Sequence, residues 1–157
     1  MKVVYLHHAE RDLNHVDSND FSKDIITKDG IKEAKIVGKL LSKNEFTCIY
    51  TSPYTRCVET AKIINEFLHV PIYEMEEINE WQKGENKTSF IKRNIKGIKK
   101  IVEKHNPNDS VICITSGVNL TAFVCYFYHV KISNNLTLVQ GATMSPVNFF
   151  TKEGECD

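Results

Sequence analysis

No strong field of one sign runs over this sequence. Twenty basic and twenty acidic residues among 157 cancel, which removes any global attraction to nucleic acid or an anionic membrane. Any anion site must therefore be local. A long apolar run is also missing: no stretch reaches the ~18 residues that a spanning helix needs. The first residues lack a basic segment followed by a long apolar one, so no secretory leader is expected. The five cysteines (Cys48, Cys57, Cys113, Cys125 and Cys156) are odd in number, irregularly spaced and form no CxxC pair. Three of them, Cys48, Cys113 and Cys125, lie in apolar runs, where free cysteine behaves as a small hydrophobe. Together these features exclude a disulfide framework and lead us to expect a cytoplasmic protein. There is no internal repeat, low-complexity tract or linker, and the length suits one domain over 1–157.

What is present is an alternation of short apolar runs and helical patterns. Val3 to Leu6 is β-branched and apolar on both faces, as in a central parallel strand. Further strands are expected at Phe46 to Tyr50, Pro71 to Tyr73, Val111 to Thr115, and within Met144 to Thr151. Helical spacing runs from Lys28 to Ser42, with Ile31, Ala34, Val37 and Leu41 on the apolar face. A second helix is expected to open at Ser52-Pro53, serine as its cap and proline at its first position. It carries Cys57, Val58, Ala61, Ile64 and Leu68 inward. Thr88 to His105 is helical through Phe90, Ile91, Ile95, Ile98 and Val102, and Val118 to Val130 reads as a buried helix. The fold class is α/β: a three-layer α/β/α sandwich with a mainly parallel central sheet.

In such sheets ligands bind beyond the carboxyl ends of the strands. That rule selects His7-His8-Ala9-Glu10, Thr51-Ser52-Pro53 through Arg56, and Thr115-Ser116-Gly117. The residue types suit a phosphoryl group, which carries roughly −1.5 to −2 charge near neutral pH. Cationic forks and helix N-termini bind it, a histidine can accept it covalently, and a protonated carboxyl group can serve the leaving oxygen.

These blocks resemble the histidine phosphatase, or phosphoglycerate mutase-like, superfamily. Its Arg-His-Gly-Glu with a following asparagine is matched by His7-His8-Ala9-Glu10 and Asn14. Its Leu-Thr-x-x-Gly-x-x-Gln-Ala is matched by Ile26-Thr27, Gly30 and Glu33-Ala34. Its Ser-Ser-Pro-Leu-x-Arg-x-x-x-Thr-Ala is matched by Thr51-Ser52-Pro53-Tyr54-Thr55-Arg56 and Thr60-Ala61. Ile78-Asn79-Glu80 fits the apolar-x-Glu block, and Ile114-Thr115-Ser116-Gly117 stands where the family has Val-Ser-His-Gly. The resemblance implies that His8 becomes phosphohistidine, with Arg56 holding the phosphoryl oxygens and Asn14 and Ser52 lining the pocket. Glu80 is the general acid, with Glu77 as its rival for that place. No metal or organic cofactor is implied.

Three positions depart from the pattern: His7 replaces arginine, Ser116 replaces the second histidine, and Ala9 replaces glycine. Loss of one preorganised donor typically costs ~10²–10³ in rate, although losses within one catalytic group do not simply multiply. Arg11 is a nearby cation that can compensate. His7 and His8, as strand neighbours, are expected on opposite faces and so make a poor chelate.

Bland readings stand beside these. Ser116 can equally cap the following helix, Arg56 can be a solvated helix residue, and Trp81 is read as local packing. The lysine-rich helix Lys92 to Lys104 is read as a solvated face. Two functions are carried forward. One is a weak or narrow phosphomonoesterase of a phosphorylated small molecule or phosphoprotein, with a degenerate active site. The other is a non-catalytic relative that binds a phosphorylated ligand or partner protein.

Overall fold

Strand β1 (Lys2–His7) lies inside a five-stranded sheet because it is buried on both faces. Val4 and Leu6 point to one side, Val3 and Tyr5 to the other. The computed structural model describes residues 1–15 and 19–152, so Cys156 lies outside the described residues. The other strands are β2 (Cys48–Thr51), β3 (Ile72–Glu74), β4 (Ser110–Thr115) and β5 (Val147–Phe150). Their order is β3-β2-β4-β1-β5. The first four run parallel, and β5 pairs antiparallel to β1 at the edge. Every expected strand is found.

Helices α1 (Lys28–Leu41) and α2 (Thr55–Leu68) cover one face of the sheet, packing Ala34, Val37, Cys57, Ala61 and Ile64 against Val4, Leu6, Ile49, Ile112 and Ile114. Helices α3 (Lys87–Lys104) and α4 (Leu120–Phe127) cover the other, where Phe90, Ile91, Ile98, Ala122 and Phe123 meet Val3, Tyr5, Tyr50, Val111 and Cys113. The period-two alternation of the strands thus feeds two separate cores. The result is the three-layer sandwich with a mainly parallel sheet.

Some local expectations fail for physical reasons. Helix α1 approaches α2 through Gly38, where an added Cβ would lie 2.7 Å from Phe67 Cδ2 and 3.1 Å from Ile64 Cα. That contact line rotates Ile31 outward, leaving it exposed. Helix α2 begins at Thr55, not at Ser52-Pro53, and its cap residue Tyr54 makes no side-chain capping bond. The Ser52 hydroxyl instead takes the Tyr54 N–H at 3.3 Å as a tight turn before the helix. On α2, Cys57, Ala61 and Ile64 are buried while Val58 and Leu68 are only half-buried. The helix expected over Val118 to Val130 is shorter: a single 3₁₀ turn, Gly117–Asn119, precedes α4, and His129 has a left-handed φ of 54° beyond its end. A left-handed residue cannot continue a right-handed helix.

Among the described residues, no helix is long and apolar enough to cross a membrane. Cys48, Cys57, Cys113 and Cys125 are buried free thiols.

Candidate functional site

The three loops selected from the sequence leave β2, β4 and β1, which are contiguous in the sheet. Backbone bonds tie their exits together: the His8 N–H donates to Thr115 O and the Ser52 N–H to Ile114 O, each at 2.9 Å. A further set of bonds explains the neighbouring sequence blocks. The Thr27 N–H donates to Glu10 O and the Thr27 hydroxyl to Glu10 Oε1, both at 2.9 Å. A Cβ at Gly30 would fall 2.9 Å from Glu10 O, so only glycine lets the start of α1 press on this loop. The Thr60 hydroxyl takes the Ala9 N–H at 3.0 Å and donates to Arg56 O at 2.7 Å, binding the loop to α2.

His8 is the first residue past β1 and is 7% exposed. Its Nδ1 lies 2.7 Å from Ala9 O, and its Nε2 lies 3.1 Å from Arg56 Nε. A carbonyl only accepts and an arginine N–H only donates, so the two partners select one neutral tautomer. Nδ1 carries the proton and Nε2 offers its lone pair. Burial, reinforced by His7 and then by the Arg56 and Arg11 charges, pushes the His8 pKa down to about 3. The imidazole is therefore uncharged throughout the neutral range.

The His7 ring lies against that of His8, with centroids 4.2 Å apart at an interplanar angle of 43°. This corrects the expectation of opposite faces. Alternation holds for residues inside a ladder, and the chain leaves the ladder at His8. His7 Nδ1 faces His8 O at 2.6 Å, and burial lowers its pKa below the usual value. Among the described residues, no group of three or more histidine, cysteine, aspartate or glutamate side chains is placed to hold a metal ion.

Arg56 is not a solvated helix residue. It is 1% exposed, lies 5.0 Å from the Tyr54 ring centroid, and has a partner at each nitrogen. Nε meets His8, Nη1 donates to Phe21 O at 2.7 Å, and Nη2 donates to Glu80 Oε2. The Ser116 hydroxyl donates to that same Glu80 oxygen at 3.1 Å. Ser116 makes no capping bond to the turn that follows, so its capping role is corrected. Of the two acid candidates, Glu80 joins Arg56. Glu77 pairs with Lys100, whose ammonium holds its carboxyl below the usual range.

Two expected pocket residues are not brought in. Asn14 is exposed in the turn Leu13–His15, its N–H bonded to Asp12 Oδ1 at 2.9 Å, and it makes no hydrogen bond to His8, Arg56 or Glu80. The Ser52 hydroxyl is fully buried and donates to Asn79 Oδ1 at 2.5 Å, so it braces the acid-bearing loop. Arg11 turns to Asp24, Nη1 to Oδ2 3.1 Å, where Asp24 has no exposed surface. Its charge is met by that carboxylate and does not stand in for the missing arginine.

Several supporting residues escaped sequence reasoning. Arg93 of α3 donates to the backbone oxygens of Glu77, Asn79 and Glu80 at 2.9 to 3.1 Å and pairs with Glu85. Asn119 Nδ2 donates to Ile78 O, Asn79 O and Asn94 Oδ1. The Tyr5 hydroxyl donates to Ser116 O at 2.9 Å, steadying the loop after β4 from inside the core. The chain holds only three arginines among its twenty basic residues. A lone arginine in a lysine-rich helix was the available signal for Arg93, because its planar fork serves several carbonyls where lysine serves as a point charge.

Fold and site together define a phosphoglycerate mutase-like α/β/α protein whose strand-end histidine is held neutral against a buried arginine. The profile of the histidine phosphatase superfamily (branch 1) matches residues 4–87, over half of the chain, and the chain belongs to that family. An uncharacterized phosphatase, PhoE, of Bacillus subtilis (strain 168) is 34% identical over 84 residues, which cover 53% of this chain and 44% of the relative. The chain spans less than half the length of the curated relatives it matches. Bacillus stearothermophilus YhfR shares the fold with a TM-score of 0.81 at 20% identity, over 98% of this chain and 92% of that one. The protein histidine phosphatase SixA, solved with tungstate, gives a TM-score of 0.70 at 16% identity over 94% and 86%.

Proposed function

We propose that this chain is a single-domain cytoplasmic phosphomonoesterase, weak or narrow in substrate, that works through a phosphohistidine at His8. The observation that carries this reading is the tautomer of His8. Its Nδ1 proton is held by Ala9 O while the Nε2 lone pair sits beside the Arg56 cation. Nε2, freed as the Arg56 guanidinium turns to the phosphoryl oxygens, attacks phosphorus, and the ester P–O bond breaks. The leaving oxygen takes a proton that Glu80 gains from solvent on leaving its ion pair with Arg56. Water then attacks the phosphohistidine, its proton passes to Glu80, and inorganic phosphate leaves. Arg56 steadies the charge on the phosphoryl oxygens, and His7 and Ser116 line the site. No step calls on a metal or organic cofactor. The substrate is a phosphorylated small molecule or phosphoprotein, consistent with relatives named as phosphatases. The buried free thiols fit a reducing compartment.

A second reading has its own observation. With His7 and Ser116 in place of an arginine and an imidazole, Arg56 is the one guanidinium in contact with His8, and Glu80 already neutralises it. That charge balance suits a non-catalytic relative that binds a phosphorylated ligand or partner. Turnover of an aryl phosphate separates the two. The enzyme reading expects His8→Ala to remove the activity, whereas equal slow release from wild type and His8→Ala would leave only binding. The double change His7→Arg with Ser116→His should raise turnover at least ~10-fold, since each restored donor acts on transition-state charge.

A further inference from the structure

We propose that the Glu80 carboxylate is an internal anion occupying a phosphoryl-oxygen position, so that ligands bind by displacing it from Arg56 and Ser116. The inference rests on the reading of this pocket as a phosphoryl site. It adds a competing occupant that sets the pocket's affinity.

Two donors from different parts of the fold converge on one oxygen. Arg56 Nη2 comes from the first turn of α2, and Ser116 Oγ comes from the loop after β4; both donate to Glu80 Oε2. A guanidinium and a hydroxyl aimed at one oxygen is the donor set of an oxyanion site. The remaining nitrogens of Arg56 are engaged by the buried His8 ring and the Phe21 backbone carbonyl. The Glu80 side chain differs. It is 37% exposed, while Arg56 has almost no surface of its own. Among the side chains bonded to Arg56, Glu80 is the one with solvent-exposed surface to give up to an incoming anion.

The backbone of Glu80 does not have to move for this exchange. Arg93 Nη2 holds Glu80 O at 3.1 Å, and the preceding Asn79 is held by Ser52, Arg93 and Asn119. Rotation of the side chain alone releases Arg56 and Ser116. The groups around the carboxylate are Arg56, Ser116 and, through the Coulomb field, Tyr54, His7 and Cys57. No second cation is in contact with the Glu80 carboxylate among the described residues. The occupant therefore lowers the apparent affinity for external anions by the fraction of time the site is open. Ser116 is assigned as a ligand of the bound anion, the role left when its position lacks an imidazole.

The test is sulfate binding by titration calorimetry, because sulfate stays a dianion across the working pH range. The variants are Glu80→Gln, Glu80→Ala, Ser116→Ala and Glu80→Ala/Ser116→Ala, with thermal melts to verify folding. Removing the internal carboxylate should tighten sulfate binding by ~10-fold or more, while aryl phosphate turnover falls. Ser116→Ala should change sulfate affinity by less than ~2-fold in wild type, where it loses a donor to both competitors, and weaken it ~5-fold or more in the Glu80→Ala background. Sulfate binding no tighter in either Glu80 variant, or an equal Ser116→Ala effect in both backgrounds, overturns the proposal. The enzyme reading is judged separately by His8→Ala turnover. Tightened binding with no His8-dependent turnover leaves the internal anion standing without the catalysis, and His8-dependent turnover with unchanged binding does the reverse.

Discussion

Arg56 Nε lies 3.1 Å from His8 Nε2, so the guanidinium addresses the lone pair of the imidazole and not its proton. The same side chain reaches Glu80 with its other end, which makes Arg56 the bridge between the proposed nucleophile and the proposed acid. Arg56→Lys keeps one charge but removes the fork. Turnover should fall by ~10²–10³, with the loss in kcat as well as KM, as expected when a preorganised donor is removed. Steady-state kinetics on an aryl phosphate measure it, and a change confined to KM would contradict the bridging role.

Arg93 belongs to the scaffold beneath that acid. Its guanidinium gathers the carbonyls of the Glu77-to-Glu80 segment and the Glu85 carboxylate, and Trp81 Nε1 closes the loop onto Glu85 O at 2.7 Å. Arg93→Leu removes the donor from the half-buried Glu77 and Glu80 carbonyls and the partner of the Glu85 carboxylate, and should destabilise the fold by about 2–3 kcal/mol. As a positioning residue it should also depress kcat more than KM. Arg93→Lys should recover part of the melting temperature but little of the kcat, because an ammonium cannot span the same carbonyls.

Asp24 has no exposed surface, and its ion pair with Arg11 is what meets its charge; neither oxygen has a well-formed hydrogen bond. Arg11→Ala should cost about 3 kcal/mol, most of it the penalty of an uncompensated buried carboxylate. The double change Arg11→Met/Asp24→Leu should recover much of that stability. Urea midpoints for the four proteins decide it, and a strictly additive double mutant would show that the pair is not coupled.

Acid sensitivity follows from His8. Its folded pKa of about 3 lies below the ordinary value of 6.5. Between those values the unfolded chain holds the proton and the folded chain does not, so acid favours unfolding. The contribution is complete above about pH 6.5 and is lost as pH falls toward 3, with a slope of up to roughly 1.4 kcal/mol per pH unit. His8→Gln should flatten the urea-midpoint profile between pH 6.5 and 4. Two parallel profiles would show that His8 is not the buried neutral group responsible.

Much of the architecture was legible in the residues. Two-faced apolar strands such as Val3 to Leu6 and Val111 to Thr115 read directly as a buried parallel sheet, because period two and burial on both faces leave few alternatives. The site loops were legible for the same reason, since they follow strand ends. What escaped was orientation. His7 and His8 share a side because the ladder ends between them. Ser52 serves Asn79 instead of a helix end, because the Tyr54 turn delays α2 by two residues. Arg93 looked like one more solvated cation until α3 packed beside the acid loop.

Sequence alone decided which residue types stand at which strand ends: a histidine after β1, an arginine after β2, a serine after β4. Local spacing sets that order, and short-range physics of strands and helices reads it. Tertiary structure alone decided their partners. Whether Arg56 meets Glu80, Arg11 meets Asp24, and Ser116 meets a carboxylate in place of a backbone N–H depends on contacts between segments far apart in the chain. Long-range packing fixes those distances, and at hydrogen-bond range a displacement of one ångström replaces one partner with another.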